Sequence, residues 1–276
     1  MDNDFNKKHL IYLVFTLAVT ALSVAFQLFL ILNYYETDVS LYSIGTSLPD
    51  IFHIFLLVCT LIVLSSFFVI KKEGFGDTLP QIKSLTVFAS SISGLMLLAS
   101  ILFGLYTFIT GGVSNPISLQ DIFNIFALIC AAPASAYFII IAVKTEPYKI
   151  RTSFFGLFIV VWSAFRLISE YFDVASPINN PLRILHQLSY IIIMIFFLYE
   201  AGYSANIKKP RLYAMGGYLA LIFVFTSSLP VIILNFSKLK IINVNTFSYI
   251  IEFCLGFFVL VRMLTLNQKS EEEILT

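Results

Sequence analysis

The sequence predicts an all-α polytopic membrane protein with about eight transmembrane helices. Of its 276 residues, 59% are hydrophobic and 12% are charged, and the mean hydropathy is +0.91. Soluble domains carry roughly 25% charged residues, so most of this chain must face lipid or other helices. A spanning helix needs about 20 mostly apolar residues. Eight stretches meet that requirement: 10–33, 49–70, 85–110, 121–143, 153–172, 184–204, 212–235 and 246–266.

The first apolar stretch is predicted to be a retained helix rather than a secretion signal. It follows a short polar segment with Lys7 and Lys8 and continues to about Asn33. A signal-peptide core has about 7–15 apolar residues and ends at a small-residue cleavage site, and this stretch is longer and lacks such a site. We therefore expect it to be the first transmembrane helix.

Lysine and arginine predict the orientation. With a cytoplasmic N-terminus, most basic residues between the helices fall on the cytoplasmic side, and only Arg183, Lys238 and Lys240 fall on the outer side. This bias is the one that the positive-inside rule describes. Eight helices then place both termini in the cytoplasm of a cell-membrane protein. The connections are short, so residues 1–276 are expected to form one transmembrane domain, with any site between helices.

A repeated segment suggests that the helices form four hairpins of common design. Residues 47–59 and 118–130 are identical at nine of thirteen positions, and each opens an even-numbered helix. Asp50 and Asp121 suit the N-terminal ends of these helices, where backbone N–H groups lack partners. The predicted hairpins have the same orientation, so the repeats would be parallel. They would cover residues 10–70, 85–143, 153–204 and 212–266.

The third, fourth and seventh stretches contain residues that affect helix packing. Pro133 and Pro230 are expected to kink the fourth and seventh helices. Residues 90–94 in the third helix and Gly216 with Gly217 in the seventh are small enough for close approach of a neighbour. Kinks and small residues are compatible with gating, but ordinary packing in a polytopic protein explains them equally well.

The fifth stretch carries the arginine that lies well inside an apolar segment. Trp162, Arg166 and Glu170 are spaced four residues apart, which places them on one helix face. An arginine at bilayer depth costs about 2.5–3.5 kcal/mol or more unless it meets a partner or water. Other polar residues are therefore expected to face Arg166.

Depth along the helices predicts which residues these are. At about 1.5 Å per residue, Glu252 of the eighth helix lies near the level of Arg166. In the sixth helix, His186 lies near Glu170 and Tyr190 near Arg166, while His53 and Asn124 lie about one turn inside the second and fourth helices. All would gather in the outer half of the membrane.

This predicted cluster has two interpretations. It is either an outward-facing binding site centred on Arg166, whose planar fork suits a carboxylate or phosphate, or an ion-pair lock of Arg166 with Glu170 or Glu252. Glu200 and Arg262, at the inner ends of the sixth and eighth helices, are predicted to form a clasp or, in the alternative, a cytoplasmic gate.

Several functions find no support in the sequence. Cys59, Cys130 and Cys254 lie apart in apolar stretches, and no metal-site spacing occurs. The net charge of +1 and the lack of a basic patch argue against a nucleic-acid partner. No catalytic or nucleotide-binding motif and no cofactor motif is present.

The leading hypothesis is a small-molecule or ion transporter, or a ligand sensor, centred on Arg166. It would take a small anionic or polar ligand. The alternative is a membrane subunit or scaffold that binds a partner membrane protein, with the cluster acting as a lock. A lipid-modifying enzyme with Glu170 or His186 as general base is less favoured, because no nucleophile accompanies either residue.

Overall fold

The eight predicted helices are present, and their sequence is apolar enough to span a membrane. A computed structural model describes residues 2–43, 45, 47–69, 84–111, 117–143, 150–174, 176–205, 207, 209–240, 242 and 244–266. All eight helices in these ranges have the length and hydropathy of a membrane span, which confirms the predicted class. The helices are α1 (Asp2–Tyr34), α2 (Leu48–Val69), α3 (Ser84–Gly111), α4 (Leu119–Val143), α5 (Ile150–Tyr171), α6 (Pro181–Ser204), α7 (Pro210–Ser237) and α8 (Thr246–Thr265).

Helices α3 to α8 form a closed ring. Each packs against the next along the chain, and α8 packs against α3. Helix α1 packs mainly against α7, and α2 packs against α1 and α7, so this pair lies outside the ring. The two helices of each predicted hairpin are neighbours. The common descent of the hairpins from one repeat stays a prediction.

Helices α7 and α8 lie deepest in the bundle. Of the most apolar 18-residue window in each, 67% is buried, against 17% for α3. The sequence explains this for α7, which is small or apolar on all sides and has Gly216, Gly217, Ser227 and Ser228 among its buried residues. Small residues let neighbouring backbones approach closely in a membrane protein.

The C-terminal ends of α1, α3, α5 and α7 lie at one end of the bundle, which we call the cavity end. The C-terminal ends of α2, α4, α6 and α8 lie at the opposite end, which we call the clasp end. At the cavity end, two short strands, β1 (Tyr35–Glu36) and β2 (Leu41–Tyr42), pair antiparallel after α1.

Lys240 ties the connection after α7 to the end of α1. Its ammonium donates to the carbonyl of Ile31 at 2.7 Å and to the carbonyl of Tyr35. Burial lowers the pKa of Lys240, an effect that the nearby Glu36 carboxylate partly opposes. Lys240 therefore fixes α1 to the ring at the cavity end.

Gly256 of α8 packs closely against Val224 of α7, so a side chain at Gly256 is expected to destabilise the fold. A Cβ at Gly256 would lie 2.5 Å from Cγ1 of Val224, a β-branched residue with little rotamer freedom. We expect Gly256→Ala to lower the free energy of unfolding by about 1–3 kcal/mol, measured by thermal denaturation in detergent.

Gly216→Ala is the matched control for this prediction. A Cβ at Gly216 meets its nearest atom at 3.6 Å, which is ordinary contact. Because alanine favours a helix over glycine by about 1 kcal/mol, Gly216→Ala should be neutral or mildly stabilising. Equal melting of the two variants would mean that α7 and α8 are packed less tightly at Gly256.

Candidate functional site

A cluster of polar side chains lies between α4, α5, α6 and α8 near the cavity end. Each helix carries a polar residue at the same depth within an otherwise apolar sequence, which is why the cluster forms one layer across the bundle. The structure brings together seven of the residues that the sequence placed in the candidate site: Asn124 of α4, Trp162, Arg166 and Glu170 of α5, His186 and Tyr190 of α6, and Glu252 of α8.

Arg166 is held by neutral oxygen atoms. Its Nη1 donates to Oδ1 of Asn124 at 2.9 Å, and its Nη2 donates to Oγ of Ser248 at 2.7 Å. The Asn124 oxygen also accepts from Ser169 at 2.7 Å. The guanidinium is thus oriented on two sides by groups that carry no charge.

The structure shows neither of the ion pairs expected for Arg166. Among the described residues, no carboxylate forms an ion pair with it. The reason is that His186 lies between the two expected partners, Glu170 and Glu252, and contacts both.

His186 is the centre of the second half of the cluster. Its Nδ1 lies 2.6 Å from Oε1 of Glu170, and its Nε2 lies 3.2 Å from Oε2 of Glu252. Tyr249 stacks on the imidazole with ring centroids 4.1 Å apart. Ser227 of α7 donates to Oε2 of Glu252 at 3.3 Å. A chain of three ionisable groups therefore runs from α5 through α6 to α8.

Two adjacent cavities meet at Arg166. One, of about 450 Å³, reaches the connections of the cavity end, and we call it the polar cavity. The other, of about 390 Å³, lies between α3, α4, α5 and α8, and we call it the apolar cavity. Its lining combines apolar side chains such as Phe103 and Leu128 with polar ones that include Asp121. The residues that line both are Asn124, Arg166, Asn245 and Ser248.

The single tryptophan of the chain lies at this junction. Trp162 is 2% exposed, lines the apolar cavity and packs edge-on against Tyr190 with ring centroids 5.8 Å apart. It is one helical turn from Arg166 on the same face. Its fluorescence therefore reports on the site without a competing signal from another tryptophan.

Arg183 joins the end of α5 to the start of α6. It donates to the backbone carbonyls of Glu170, Tyr171, Asp173 and Ser176, at 2.8 Å for Tyr171 and 3.0 Å for Asp173. These carbonyls lie at and just beyond the C-terminal end of α5, where a helix has no internal donors for them. Arg183 thus holds Glu170 in place beside His186.

We expect Arg183→Gln to destabilise the protein, because glutamine is shorter and carries no charge for these carbonyls. A loss of about 1.5–3 kcal/mol in the free energy of unfolding is expected for lost hydrogen bonds to a charged group. Thermal denaturation and hydrogen exchange at the end of α5 measure it. Lys238→Gln removes an exposed basic residue from the same end and should change neither.

His53 lies away from the cluster. It is exposed on α2, and its ring contacts that of Phe52. The reason is that α2 packs outside the ring of helices, so a polar residue at the correct depth faces away from the cluster.

At the clasp end, Glu200 and Arg262 form the ion pair expected for them. Nη2 of Arg262 lies 2.7 Å from Oε1 of Glu200, and both side chains have no exposed surface. The hydroxyl of Tyr137 in α4 donates to the same carboxylate oxygen at 3.1 Å. This clasp joins α4, α6 and α8 at the end opposite the two cavities.

Three residues of the cluster, Ser169, Ser248 and Tyr249, were not predicted from the sequence. Serines occur throughout the helices of this chain, and several of them bond to a backbone carbonyl of their own helix, as Ser163 and Ser228 do. For Ser248 and Tyr249 the sequence offers one signal, because the pair Ser248-Tyr249 repeats the pair Ser189-Tyr190 of α6.

The cluster contains no metal site among the residues that the structure describes, and Cys59, Cys130 and Cys254 are free and buried. No family model, no curated protein and no solved structure matches this chain. The chemistry of the cluster therefore has to indicate the function.

Proposed function

We propose that this protein binds a small organic anion at Arg166 and carries it across the membrane. The observation that carries the proposal is the state of the Arg166 guanidinium, which borders two cavities and is held by neutral oxygens alone. A charged side chain inside a membrane is stabilised by a direct partner of opposite charge. An anion bound in the cavities would be such a partner for the guanidinium.

The two cavities indicate the class of anion. A guanidinium favours planar or multidentate anionic groups such as carboxylate. The polar cavity suits a hydrated head group, and the apolar cavity beside it suits an aliphatic or aromatic body. A carboxylate or sulfonate with a short apolar tail therefore fits the junction better than acetate does.

The clasp end supports transport. The cavities lie near one end of the bundle, and the Glu200–Arg262 pair with Tyr137 closes the space between helices at the other. Opening one end while the other is closed is how transporters give alternating access. A ligand sensor would need an output, and the short connections leave that to a partner protein.

Fluorescence of Trp162 tests the proposed binding. We expect hexanoate and hexanesulfonate to change the emission of the purified full-length protein saturably, acetate to bind more weakly, and neutral hexanamide to have no effect. Because Arg166→Gln removes a desolvated charge pair worth about 2–5 kcal/mol, it should weaken hexanoate binding by at least roughly 30-fold. Arg211→Gln, at the clasp end, is the matched control and should bind normally.

Transport needs a probe that does not cross lipid by itself. Hexanesulfonate is permanently charged, so its uptake into proteoliposomes should depend on the protein and be lost in Arg166→Gln. Binding without uptake would favour a sensor. Absence of binding by the wild type, together with failure of Arg166→Gln to fold, would favour a scaffold in which the cluster is a structural lock.

A further inference from the structure

Glu252 is a deeply buried carboxylate that is connected to the polar cavity through two other ionisable groups. Glu170 and His186 line the polar cavity, whereas Glu252 lines neither cavity and has no exposed surface. One oxygen of Glu252 contacts His186 and Ser227, and the other has no hydrogen-bond partner. The buried Oε2 of Glu170 likewise has none. Oε2 of Glu170 can therefore take a proton, and Oε2 of Glu252 lies 3.2 Å from Nε2 of His186, from which it can take another.

Polar and charged side chains surround Glu170, His186 and Glu252 from each of the neighbouring helices. Arg166 lies beside Glu170 on α5, and Tyr249 precedes Glu252 on α8. On α6, Tyr190 flanks His186, and Arg183 is engaged by backbone carbonyls. Helix α4 contributes the neutral Asn124 and, in the apolar cavity, the carboxylate of Asp121, whereas α7 contributes the neutral Ser227. Asp38 and Asp173 line the polar cavity farther towards the connections.

The summed charge of Glu170, His186, Glu252 and Arg166 implies that an anion binds together with a proton. With His186 protonated between two ionised carboxylates, the charges of Glu170, His186, Glu252 and Arg166 add to zero. A monoanion at Arg166 would leave one negative charge unbalanced. An unbalanced charge inside a membrane is expensive, and one additional proton restores neutrality.

We infer that Glu170, His186 and Glu252 form a proton-binding site that takes up one proton from the polar cavity for each monoanion bound at Arg166. This inference rests on the proposed function, and it makes the proton the ion that is coupled to anion transport. A proton from water in the cavity adds to the free Oε2 of Glu170. His186 passes the proton on Nε2 to Oε2 of Glu252 and becomes neutral. Only O–H and N–H bonds change, and the loaded site has no net charge.

Hexanesulfonate is the probe for this coupling, because it has no exchangeable proton near neutral pH. Full-length protein in weakly buffered detergent solution is mixed with the probe in the presence of a pH indicator. We expect about one proton to be taken up per bound anion, counted by Trp162 fluorescence. Linkage then requires the affinity to fall by about tenfold per pH unit at the alkaline end of the range.

Glu252→Gln isolates the proton acceptor. Without one carboxylate, the unloaded site already carries the positive charge that an anion neutralises, so binding should persist while proton uptake and its pH dependence disappear. Glu170→Gln should give the same result, and it replaces Glu252→Gln in this experiment if Glu252→Gln does not fold. Glu36→Gln, an exposed carboxylate at the same end, should behave as wild type. Anion binding without proton uptake in the wild type, or unchanged uptake in Glu252→Gln, overturns the inference.

Infrared difference spectroscopy separates this inference from the proposed function. If no anion changes the fluorescence of Trp162, the proposed function fails, but the proton site is still testable on the protein alone. Lowering the pH should produce a protonated-carboxyl band in the wild type that is absent from Glu252→Gln. Persistence of that band in Glu252→Gln overturns the proton site independently of any ligand.

Discussion

Replacing Glu200 with glutamine is expected to lower the free energy of unfolding by about 3–5 kcal/mol, the range found when one partner of a buried ion pair is removed. Both Glu200 and Arg262 are fully buried, so the guanidinium would keep its charge without its carboxylate and without access to water. The hydroxyl of Tyr137 would also lose a charged acceptor. Thermal or denaturant unfolding in detergent measures the loss.

A double variant shows whether the stability lost in Glu200→Gln comes from the charge that remains on Arg262. Glu200→Gln combined with Arg262→Met removes both charges, and replacing a whole buried ion pair by uncharged groups is often close to neutral. The double variant should therefore recover most of the stability that Glu200→Gln loses. A loss below about 1 kcal/mol in the single variant would mean that water or another group reaches Arg262.

Replacing His186 with leucine is expected to have an effect of similar size. His186 is 3% exposed and lies between Glu170 and Glu252, so its removal leaves two carboxylates in one pocket without the group that separates them. The loss of a buried partner again implies about 3–5 kcal/mol. Thermal denaturation of the purified protein measures it.

The second carboxylate provides the test of this explanation. Adding Glu252→Gln to His186→Leu removes one of the two like charges and should restore more than half of the lost stability. His53→Leu is the matched control, because His53 is exposed on α2 and its replacement should change stability by no more than about 0.5 kcal/mol. Equal losses of stability in His186→Leu and His53→Leu would show that the contacts of His186 with the two carboxylates do not stabilise the fold.

The sequence was sufficient for the class of fold and the depth of the polar residues. Apolar length alone predicts eight helices. The rise per residue predicts Glu252 near the depth of Arg166, His186 near that of Glu170, and Asn124 about one turn inside its helix. Both predictions depend on distance along a helix axis, which residue counting measures well.

Direction around the helix axis was harder to predict. Asn124 and His53 occupy equivalent positions in the repeated segment, yet Asn124 bonds to Arg166 and His53 is exposed on α2. The difference arises because α4 belongs to the ring and α2 does not, which depends on packing between distant parts of the chain. For the same reason the sequence left open whether Glu170 pairs with the guanidinium of Arg166, and in the structure Glu170 contacts the imidazole of His186.

The contacts of Arg183 determine which helices can separate at the cavity end. Its hydrogen bonds to the carbonyls of Glu170, Tyr171 and Asp173 join α5 and α6, and sliding one past the other would break all of them together. Helix α8 is joined to this pair in the polar cluster by the Ser248 hydroxyl and the contact between His186 and Glu252. The α5–α6 hairpin is thus expected to move as one rigid body, and a separation of α8 from it would have to break the contacts of Ser248 and Glu252.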